Sequence, residues 1–421
     1  MNRATDRPAA TALTAATVAW FITSIYYFYQ YAMRSAPAVM VPEMSAAFGL
    51  TPVGIASLIG LFYYAYAPFS LVAGVAMDQL GPRKVVPLGA ASVAVGAMLF
   101  ATGDPNLASI GRFMQGAGGV FALIGATFIV TTNFPPSRVA TLIGATQMFG
   151  MAGGSAGQFL VGPAIAGGLA WDQFWWLMGL AGIPIAILLF IYIPSKEKVA
   201  QDGASHNWLK DAGSAMWAVF RNPQSIVCGL ISGLLFIPTT IFDMVWGVRF
   251  LQEGHGMPYD VAVLRSAAVP FGWISDKIGR RKPVIIVAGA VLLGAMALGL
   301  YGPAGMLPPF TIALVAGIAS GAAMIPYTVI KEANRPEHSG TATGVINFIN
   351  FSFSALLGPL FAARLMRISG GDDRVLGDYQ QTFMPMLFGI GLAILLTLLL
   401  RETGTARQAA TASTEPLTDA R

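Results

Sequence analysis

Residues 74–84 read Gly-Val-Ala-Met-Asp-Gln-Leu-Gly-Pro-Arg-Lys, and residues 272–282 read Gly-Trp-Ile-Ser-Asp-Lys-Ile-Gly-Arg-Arg-Lys. Both stretches contain a glycine, an aspartate four positions later, a second glycine and a basic end. Each one ends a long apolar run and opens another, which is typical of a tight basic turn between two membrane helices. Gly162-Pro163 recurs as Gly358-Pro359 at nearly the same spacing. A repeat of this size in an apolar chain predicts two similar halves.

The composition independently indicates an integral membrane protein. Hydrophobic residues make up 55% of the chain and charged residues 11%, whereas roughly 25% of an ordinary soluble domain is charged. A membrane-spanning helix needs about 20 apolar residues, and the uncharged runs provide twelve predicted spans, six in each half. The sequence therefore predicts an all-α membrane protein. The runs are residues 8–33, 44–77, 85–103, 113–137, 139–171, 173–195, 222–242, 283–330 (two spans), 339–363 and 379–400, with one further span before Asp276.

The positions of lysine and arginine predict the topology. Cytoplasmic loops retain positive charge during insertion, and most of the 25 basic residues fall in cytoplasmic loops if both termini are cytoplasmic. The net charge of +5 then reflects membrane topology, and no nucleic-acid partner is expected. We expect a multi-pass protein of the cell (inner) membrane. The predicted parts are a cytoplasmic segment 1–14, a six-helix bundle 15–194, a cytoplasmic loop 195–222, a second bundle 223–402 and a disordered cytoplasmic tail 403–421.

The repeated motif and a second signature resemble a known family. Predicted span 4 contains Gly-Arg-Phe-Met-Gln-Gly-Ala-Gly-Gly at residues 111–119. Together with the two motif copies and the twelve spans, it resembles the major facilitator superfamily. This resemblance implies two pseudo-symmetric six-helix bundles that carry a solute by alternating access. Residues 26–37 and 63–68 also resemble a bacterial branch related to lysosomal dipeptide carriers. Pro82 departs from the family pattern, which leaves Arg83 and Lys84 to supply the charge of the first turn.

The two motif copies predict a cytoplasmic gate. An aspartate at a helix end can accept hydrogen bonds from arginine and from the N-terminal amides of a helix in the other bundle. Such contacts can exist in one arrangement of the bundles and break in another. The alternative is that the motif only fixes the turn and the topology. The gate candidates are Gly74, Asp78, Gly81, Arg83, Lys84, Gly272, Asp276, Gly279, Arg280 and Arg281.

Four charged residues within predicted spans are candidates for substrate binding or coupling, because intramembrane charge is costly. They are Arg34, toward the outer part of span 1, Arg112 in span 4, Asp243 in span 7 and Arg265 in span 8. Three arginines and one carboxylate favour an anionic or zwitterionic solute. The resemblance implies a role for Arg112 in coupling or substrate contact. Alternatively, Arg34 reaches the outer headgroups, and Asp243 forms a structural bridge to Arg265 or Arg249 instead of binding a proton.

Uncharged polar residues complete the predicted cavity. Tyr63 and Tyr66 share one helical face by their spacing, as do Asn347 and Asn350. Tyrosines also form interfacial belts, so some of them are alternatively anchors in the headgroup region. The candidates are Gln30, Tyr31, Tyr63, Tyr66, Gln147, Tyr327, Asn347 and Asn350.

No metal, cofactor or catalytic site is expected. The three histidines, His206, His255 and His338, fall in or beside loops, and no nucleophile has a base at a suitable spacing. The predicted function is therefore secondary active transport of a small organic solute by a monomer in the lipid bilayer, coupled to protons. The solute classes left open are carboxylates, sugar acids, amino acids and dipeptides.

Predicted span 8 is unusually short. Residues 257–276 precede the second motif, and Asp260 and Arg265 interrupt them. About 12 to 16 helical residues would cover roughly 18 to 24 Å, less than a hydrocarbon core of about 30 Å. The alternative function is therefore a non-transporting membrane receptor or a transport-impaired homologue with the same fold.

Overall fold

A computed structural model describes residues 7–194, 208–258, 281–303, 309–370 and 374–403. The described residues form helices and connecting turns, with no β-strand among them. Within these ranges, eight helical segments are long and apolar enough to cross a membrane. They are Gly54–Leu80, Pro82–Phe100, Pro105–Asn133, Trp171–Tyr192, Pro223–Phe242, Lys282–Tyr301, Pro336–Ser369 and Leu376–Thr397. The predicted all-α membrane fold is confirmed.

The first half of the chain forms helices α1 to α8. Polar residues define several helix starts: the Thr51 hydroxyl accepts a hydrogen bond from the first turn of α3, and the Asp104 carboxylate accepts two from the first turn of α5. The helices are α1 Arg7–Ser35, α2 Val41–Phe48, α3 Pro52–Leu80, α4 Pro82–Phe100, α5 Pro105–Asn133, α6 Pro136–Phe159, α7 Val161–Ala166 and α8 Trp171–Tyr192.

The second half forms helices α9 to α16. Four described sections of this half depart from α-helix: π-helical turns at Pro238–Trp246 and Phe250–Gly254, and 3₁₀ turns at Gly321–Met324 and Pro336–His338. π-helical turns are often found at functional sites. The α-helices are α9 Trp208–Arg221, α10 Pro223–Ile237, α11 Gly247–Arg249, α12 Lys282–Tyr301, α13 Pro309–Ser320, α14 Ile325–Glu332, α15 Ser339–Ser369 and α16 Leu376–Thr397.

Span 1 is discontinuous, and Arg34 lies beside the break. Helix α1 ends at Ser35, a 3₁₀ turn follows at Ala36–Val39, and α2 continues the span. Pro37 lies in that turn and provides no backbone N–H. At the far end of α2, Phe48 packs against Phe100, the last residue of α4, with ring centroids 5.8 Å apart. Arg34 therefore lies beside the break, one residue before the end of α1, and α2 follows between it and the Phe48 contact.

The two halves meet along α3 and α15, which pack against each other. The first motif turns from α3 into α4 at Gly81, whose φ of +77° is a conformation that favours glycine. Helix α9 falls within the predicted loop 195–222. The predicted domain boundaries themselves stay predictions. The short span 8, Arg265 and the tail beyond residue 403 lie outside the described residues.

Candidate functional site

Arg34 lies in a cluster of aromatic rings contributed by both halves of the molecule. Its side chain is buried, with 4% relative exposure. Guanidinium groups are attracted to the faces of such rings. The distances from the Arg34 Cζ atom to the ring centroids are 4.7 Å for Tyr31, 4.7 Å for Tyr63, 4.8 Å for Phe351, 5.5 Å for Phe62 and 5.7 Å for Tyr66. Phe351 comes from α15, and the other four rings come from α1 and α3.

The terminal nitrogens of Arg34 have no protein partner among the described residues. Its Nε donates to the Tyr63 hydroxyl at 3.1 Å, whereas Nη1 and Nη2 are buried without a hydrogen bond. None of the ion pairs among the described residues involves Arg34. Buried charges are normally paired, because removing them from water is costly. The free fork of the guanidinium is suited to a carboxylate or a related oxyanion.

Three more polar side chains beside Arg34 also keep unpaired atoms. Gln30 is four residues before Arg34 on α1, which places the two residues on the same helical face. Both polar atoms of the Gln30 amide are buried without a hydrogen bond within the described part of the chain. The same holds for the hydroxyls of Tyr31 and Tyr66. The first bundle therefore presents several unused donors and acceptors around a cation.

A hydrogen-bonded network forms the wall on the second bundle. The Tyr327 hydroxyl donates to Asn347 Oδ1 at 2.6 Å, and Asn350 Nδ2 donates to the Tyr327 hydroxyl at 3.3 Å and to Ser232 Oγ at 3.2 Å. Asn347 Nδ2 donates to Ser70 Oγ on α3 at 3.1 Å, so the network crosses between the bundles. Within the described ranges, Asn350 Oδ1 is a buried atom that has no donor.

The site lies midway along α3 and α15, at the end of α1. Tyr63 and Tyr66 are near the middle of α3, and Phe351 is near the middle of α15. Asp78 lies twelve residues beyond Tyr66 on α3, or about 18 Å along the helix. A central site between two bundles, with a separate contact at one end, is the geometry that alternating access requires.

Asp78 connects the two bundles at that end. Its Oδ1 accepts a hydrogen bond from the Gly340 N–H at 3.0 Å, and its Oδ2 accepts from the Thr341 N–H and hydroxyl, both at 2.8 Å. Gly340 and Thr341 lie in the first turn of α15, where the helix dipole favours a carboxylate. Arg83 and Lys84 are exposed at the adjacent turn. We call the contact of Asp78 with Gly340 and Thr341 the α3–α15 latch.

The second motif copy is described only at its end. Gly272, Asp276, Gly279 and Arg280 lie outside the described residues. Arg281 is described: its backbone N–H donates to a Glu402 carboxylate oxygen at 2.7 Å, and its Nη2 lies 3.5 Å from a Glu332 carboxylate oxygen. These contacts stay within the second half of the chain.

Arg112 is completely buried behind Arg34 and makes a different set of contacts. Its Nη1 donates to the Met33 carbonyl at 3.2 Å, its Nη2 to the Arg34 carbonyl at 3.1 Å and its Nε to the Ile59 carbonyl at 3.3 Å. Nη1 also donates to Gln115 Oε1 at 2.8 Å. The last carbonyls of a helix lack intrahelical donors, so Arg112 caps α1 where that helix ends. Its nitrogens are occupied by the protein, and it positions Arg34.

We expect Arg112→Lys to weaken anion binding and lower thermal stability together. Lysine keeps the charge, but its single ammonium nitrogen cannot occupy the positions of Nε, Nη1 and Nη2, from which the planar guanidinium reaches three separate carbonyls. Each lost charged hydrogen bond is worth about 1.5–3 kcal/mol, so we expect binding to be at least roughly tenfold weaker. Thermal unfolding and isothermal titration of the purified protein measure the two effects. Arg367→Lys, at an exposed position of α15, is the control. Unchanged binding in Arg112→Lys would contradict the positioning role.

The remaining predicted residues lie away from this cluster or outside the description. Gln147 on α6 accepts from the Tyr27 hydroxyl at 3.2 Å and donates to Met151 Sδ at 3.5 Å. Asp243 belongs to the π-helical turn Pro238–Trp246, and its side chain lies outside the described residues. Sequence reasoning missed the rings of Phe62 and Phe351. Phe351 is four residues after Asn347, a spacing that could have placed it on the same face.

A cationic and polar site at mid-depth between two bundles, with a latch between them at one end, defines a membrane carrier. The sequence profile of the Major Facilitator Superfamily matches residues 23–359 and 266–418. The chain belongs to the major facilitator superfamily. It is therefore a multi-pass secondary transporter of small molecules, not an enzyme.

Individual relatives are distant but extend over most of the chain. A probable sulfoacetate transporter, SauU, of Cupriavidus necator is 24% identical over 84% of this chain and 87% of its own length. A bicyclomycin resistance protein homolog of Haemophilus influenzae is 22% identical over 85% of this chain and 88% of its own. The structure of the proton:xylose symporter XylE superposes with a TM-score of 0.68 and 13% identity, over 94% of this chain and 97% of that chain. This structural likeness shows the fold alone.

Proposed function

We propose that the protein is a proton-coupled carrier of a small organic anion, which binds through its acidic group to Arg34. The observation that carries this proposal is the buried Arg34 guanidinium, whose Nη1 and Nη2 have no partner among the described residues. A carboxylate or sulfonate matches these two donors and compensates the charge. Rings from both bundles surround the same guanidinium, so a bound anion contacts both halves as the carrier changes state.

The names of the two relatives are compatible with an anionic substrate and do not establish it. The relative from Cupriavidus necator is named for sulfoacetate, an organic anion. The name of the relative from Haemophilus influenzae refers to bicyclomycin resistance. A buried cation at the site favours an anionic substrate over a cationic drug.

Proton coupling and orientation are further parts of the proposal. The structural neighbour XylE is described as a proton:xylose symporter. In this chain, Asp243 in the π-helical turn of span 7 is the carboxylate proposed to bind the proton.

The distribution of basic residues supports cytoplasmic termini in the inner membrane. The α3–α15 latch, beside the basic turn of the first motif, then lies on the cytoplasmic side.

Uptake by proteoliposomes tests the proposal. Labelled pools of carboxylates, sulfonates, sugar acids and amino acids are supplied outside vesicles with an inside-alkaline pH gradient. One proton carried with each monovalent anion allows about tenfold accumulation per pH unit, and a protonophore should abolish it. We expect uptake of an acidic pool by the unmodified protein and none by Arg34→Gln.

Each failure has its own meaning. Uptake that depends on Arg34 but not on the gradient would contradict proton coupling and leave the anion carrier intact. Equal uptake by Arg34→Gln would contradict the anion site. No uptake of any pool by folded protein would overturn the proposal in favour of a non-transporting receptor or a transport-impaired homologue.

A further inference from the structure

The site contains unused hydrogen-bond acceptors as well as unused donors. Arg34 supplies two buried donor nitrogens, but Gln30 Oε1 and Asn350 Oδ1 are buried acceptors without a donor among the described residues. An anion that carries only oxygen acceptors would satisfy Arg34 and leave both amide oxygens unpaired. A buried acceptor left without a donor costs about as much as a lost hydrogen bond.

The two acceptors lie on opposite walls of the same cluster. Gln30 shares a helical face with Arg34 on α1. Asn350 donates to the Tyr327 hydroxyl, which donates to Asn347 one turn before Phe351 on α15. The Phe351 ring lies 4.8 Å from the Arg34 Cζ atom. The two amides therefore come from different bundles that contribute to the same aromatic cluster.

We infer that the substrate is a hydroxy acid, whose acidic group binds Arg34 and whose hydroxyl groups donate to Gln30 Oε1 and Asn350 Oδ1. This inference rests on the proposed anion carrier and narrows its substrate class. The Gln30 amide, whose Nε2 donates and whose Oε1 accepts, and the Tyr31 and Tyr66 hydroxyls match the two-way hydrogen bonding of a substrate hydroxyl. The remaining donors of the site bind the oxygen atoms of the substrate.

An ammonium group is the competing donor, and charge argues against it. Ammonium carries three donors and a positive charge. Arg34 is already an unpaired cation there, and Arg112 is a second one behind it. The side chains described around Arg34 are aromatic or neutral polar, and none of them is acidic. A hydroxyl donates without added charge, so a hydroxy acid fits this environment better than an amino acid does.

Matched acids test the inference directly. Isothermal titration of the full chain in detergent compares lactate, propionate and alanine, and then gluconate, hexanoate and norleucine. The members of each series have equal carbon counts and differ in hydroxyl, hydrogen or ammonium substituents. We expect the hydroxy acid to bind roughly 5- to 150-fold more tightly than the unsubstituted acid in at least one series. The amino acid should bind more weakly than the hydroxy acid.

Two variants assign the preference to the amides. Gln30→Met keeps the length of the side chain and removes both polar atoms, and Asn350→Leu removes the acceptor of the second bundle. We expect each variant to reduce the ratio of hydroxy-acid to unsubstituted-acid affinity toward one. Gln381→Met, at an exposed position of α16, should leave the ratio unchanged.

The outcomes separate this inference from the proposed function. Equal affinities within both series, with binding still lost in Arg34→Gln, would overturn the hydroxy-acid inference and leave the anion carrier standing. Tighter binding of the amino acids would also overturn it, in favour of a zwitterion. If no acid binds in an Arg34-dependent manner, the anion carrier itself fails.

Discussion

Arg34→Gln is expected to abolish measurable binding of the substrate anion. Removing one partner of a buried, hydrogen-bonded charge pair costs about 2–5 kcal/mol, which weakens binding by roughly 30- to 5,000-fold. Glutamine retains polar atoms at this position but provides neither the charge nor the two parallel donors. Isothermal titration with the best acid identified for the unmodified protein measures the loss, and proteoliposome uptake should disappear with it.

Two further variants test whether the loss of binding is specific to the guanidinium group of Arg34. Arg34→Lys retains the charge without the planar fork, so we expect affinity between that of Arg34→Gln and that of the unmodified protein. Arg367→Gln makes the same change at an exposed arginine of α15 and should bind normally. Thermal unfolding confirms that each variant is folded. If folded Arg34→Gln bound the acid within threefold of the unmodified protein, the anion would be recognised elsewhere.

The sequence predicted the fold because the relevant signals are local. Apolar runs of span length, and a turn motif present twice, need no knowledge of long-range contacts. The break in span 1 was harder to predict. Pro37 marks a possible interruption, but the surroundings of Arg34 depend on how α2 continues to the contact between Phe48 and Phe100. Packing between elements that are distant in the sequence cannot be predicted from the hydrophobic periodicity of one segment.

The candidate site could be predicted in its polar members and not in its aromatic ones. Intramembrane polarity singles out Arg34 and Asn350, because each is costly in lipid. Phe62 and Phe351 are two of 26 phenylalanines in an apolar chain, so their type carries no signal. Arg112 shows a different limit of sequence-based prediction, which concerns the hydrogen-bond partners of a charged side chain. Its charge is evident from the sequence, but only the fold shows that its donors are used by backbone carbonyls of α1 and α3.

The α3–α15 latch depends on a close approach of the two helix backbones. A Cβ atom added at Gly344 would collide with the backbone carbonyl oxygen of Ser70 and lie 3.2 Å from Gly74 Cα. One added at Gly74 would lie 2.6 Å from the Gly340 carbonyl oxygen. Backbone atoms cannot move aside as a flexible side chain does. Small residues therefore permit this arrangement of the bundles, and a larger residue should favour one in which the helices separate.

Gly344→Val is expected to trap the carrier open at the Asp78 end. Overpacking typically costs 1–3 kcal/mol, which shifts the ratio of open to closed carriers by roughly 5- to 150-fold. A Ser70→Cys reporter at the interface, in a Cys228→Ser background, should react faster with a maleimide by a similar factor. Uptake should fall below about a tenth of normal, and the substrate should still bind. Gly294→Val, at an exposed glycine of α12 with open space around it, is the control.

The Asp78→Asn variant distinguishes between two roles of the first motif, a cytoplasmic gate and a turn that only fixes topology. The Asp78→Asn substitution removes the negative charge of the carboxylate that accepts three hydrogen bonds from Gly340 and Thr341. Gly344→Val instead adds a steric clash to the same interface. Loss of an attraction and gain of a repulsion should both expose the Ser70→Cys reporter, because both act on one equilibrium between two arrangements of the bundles. If only Gly344→Val exposes it, the helix crossing controls closure, and Asp78 serves the turn alone.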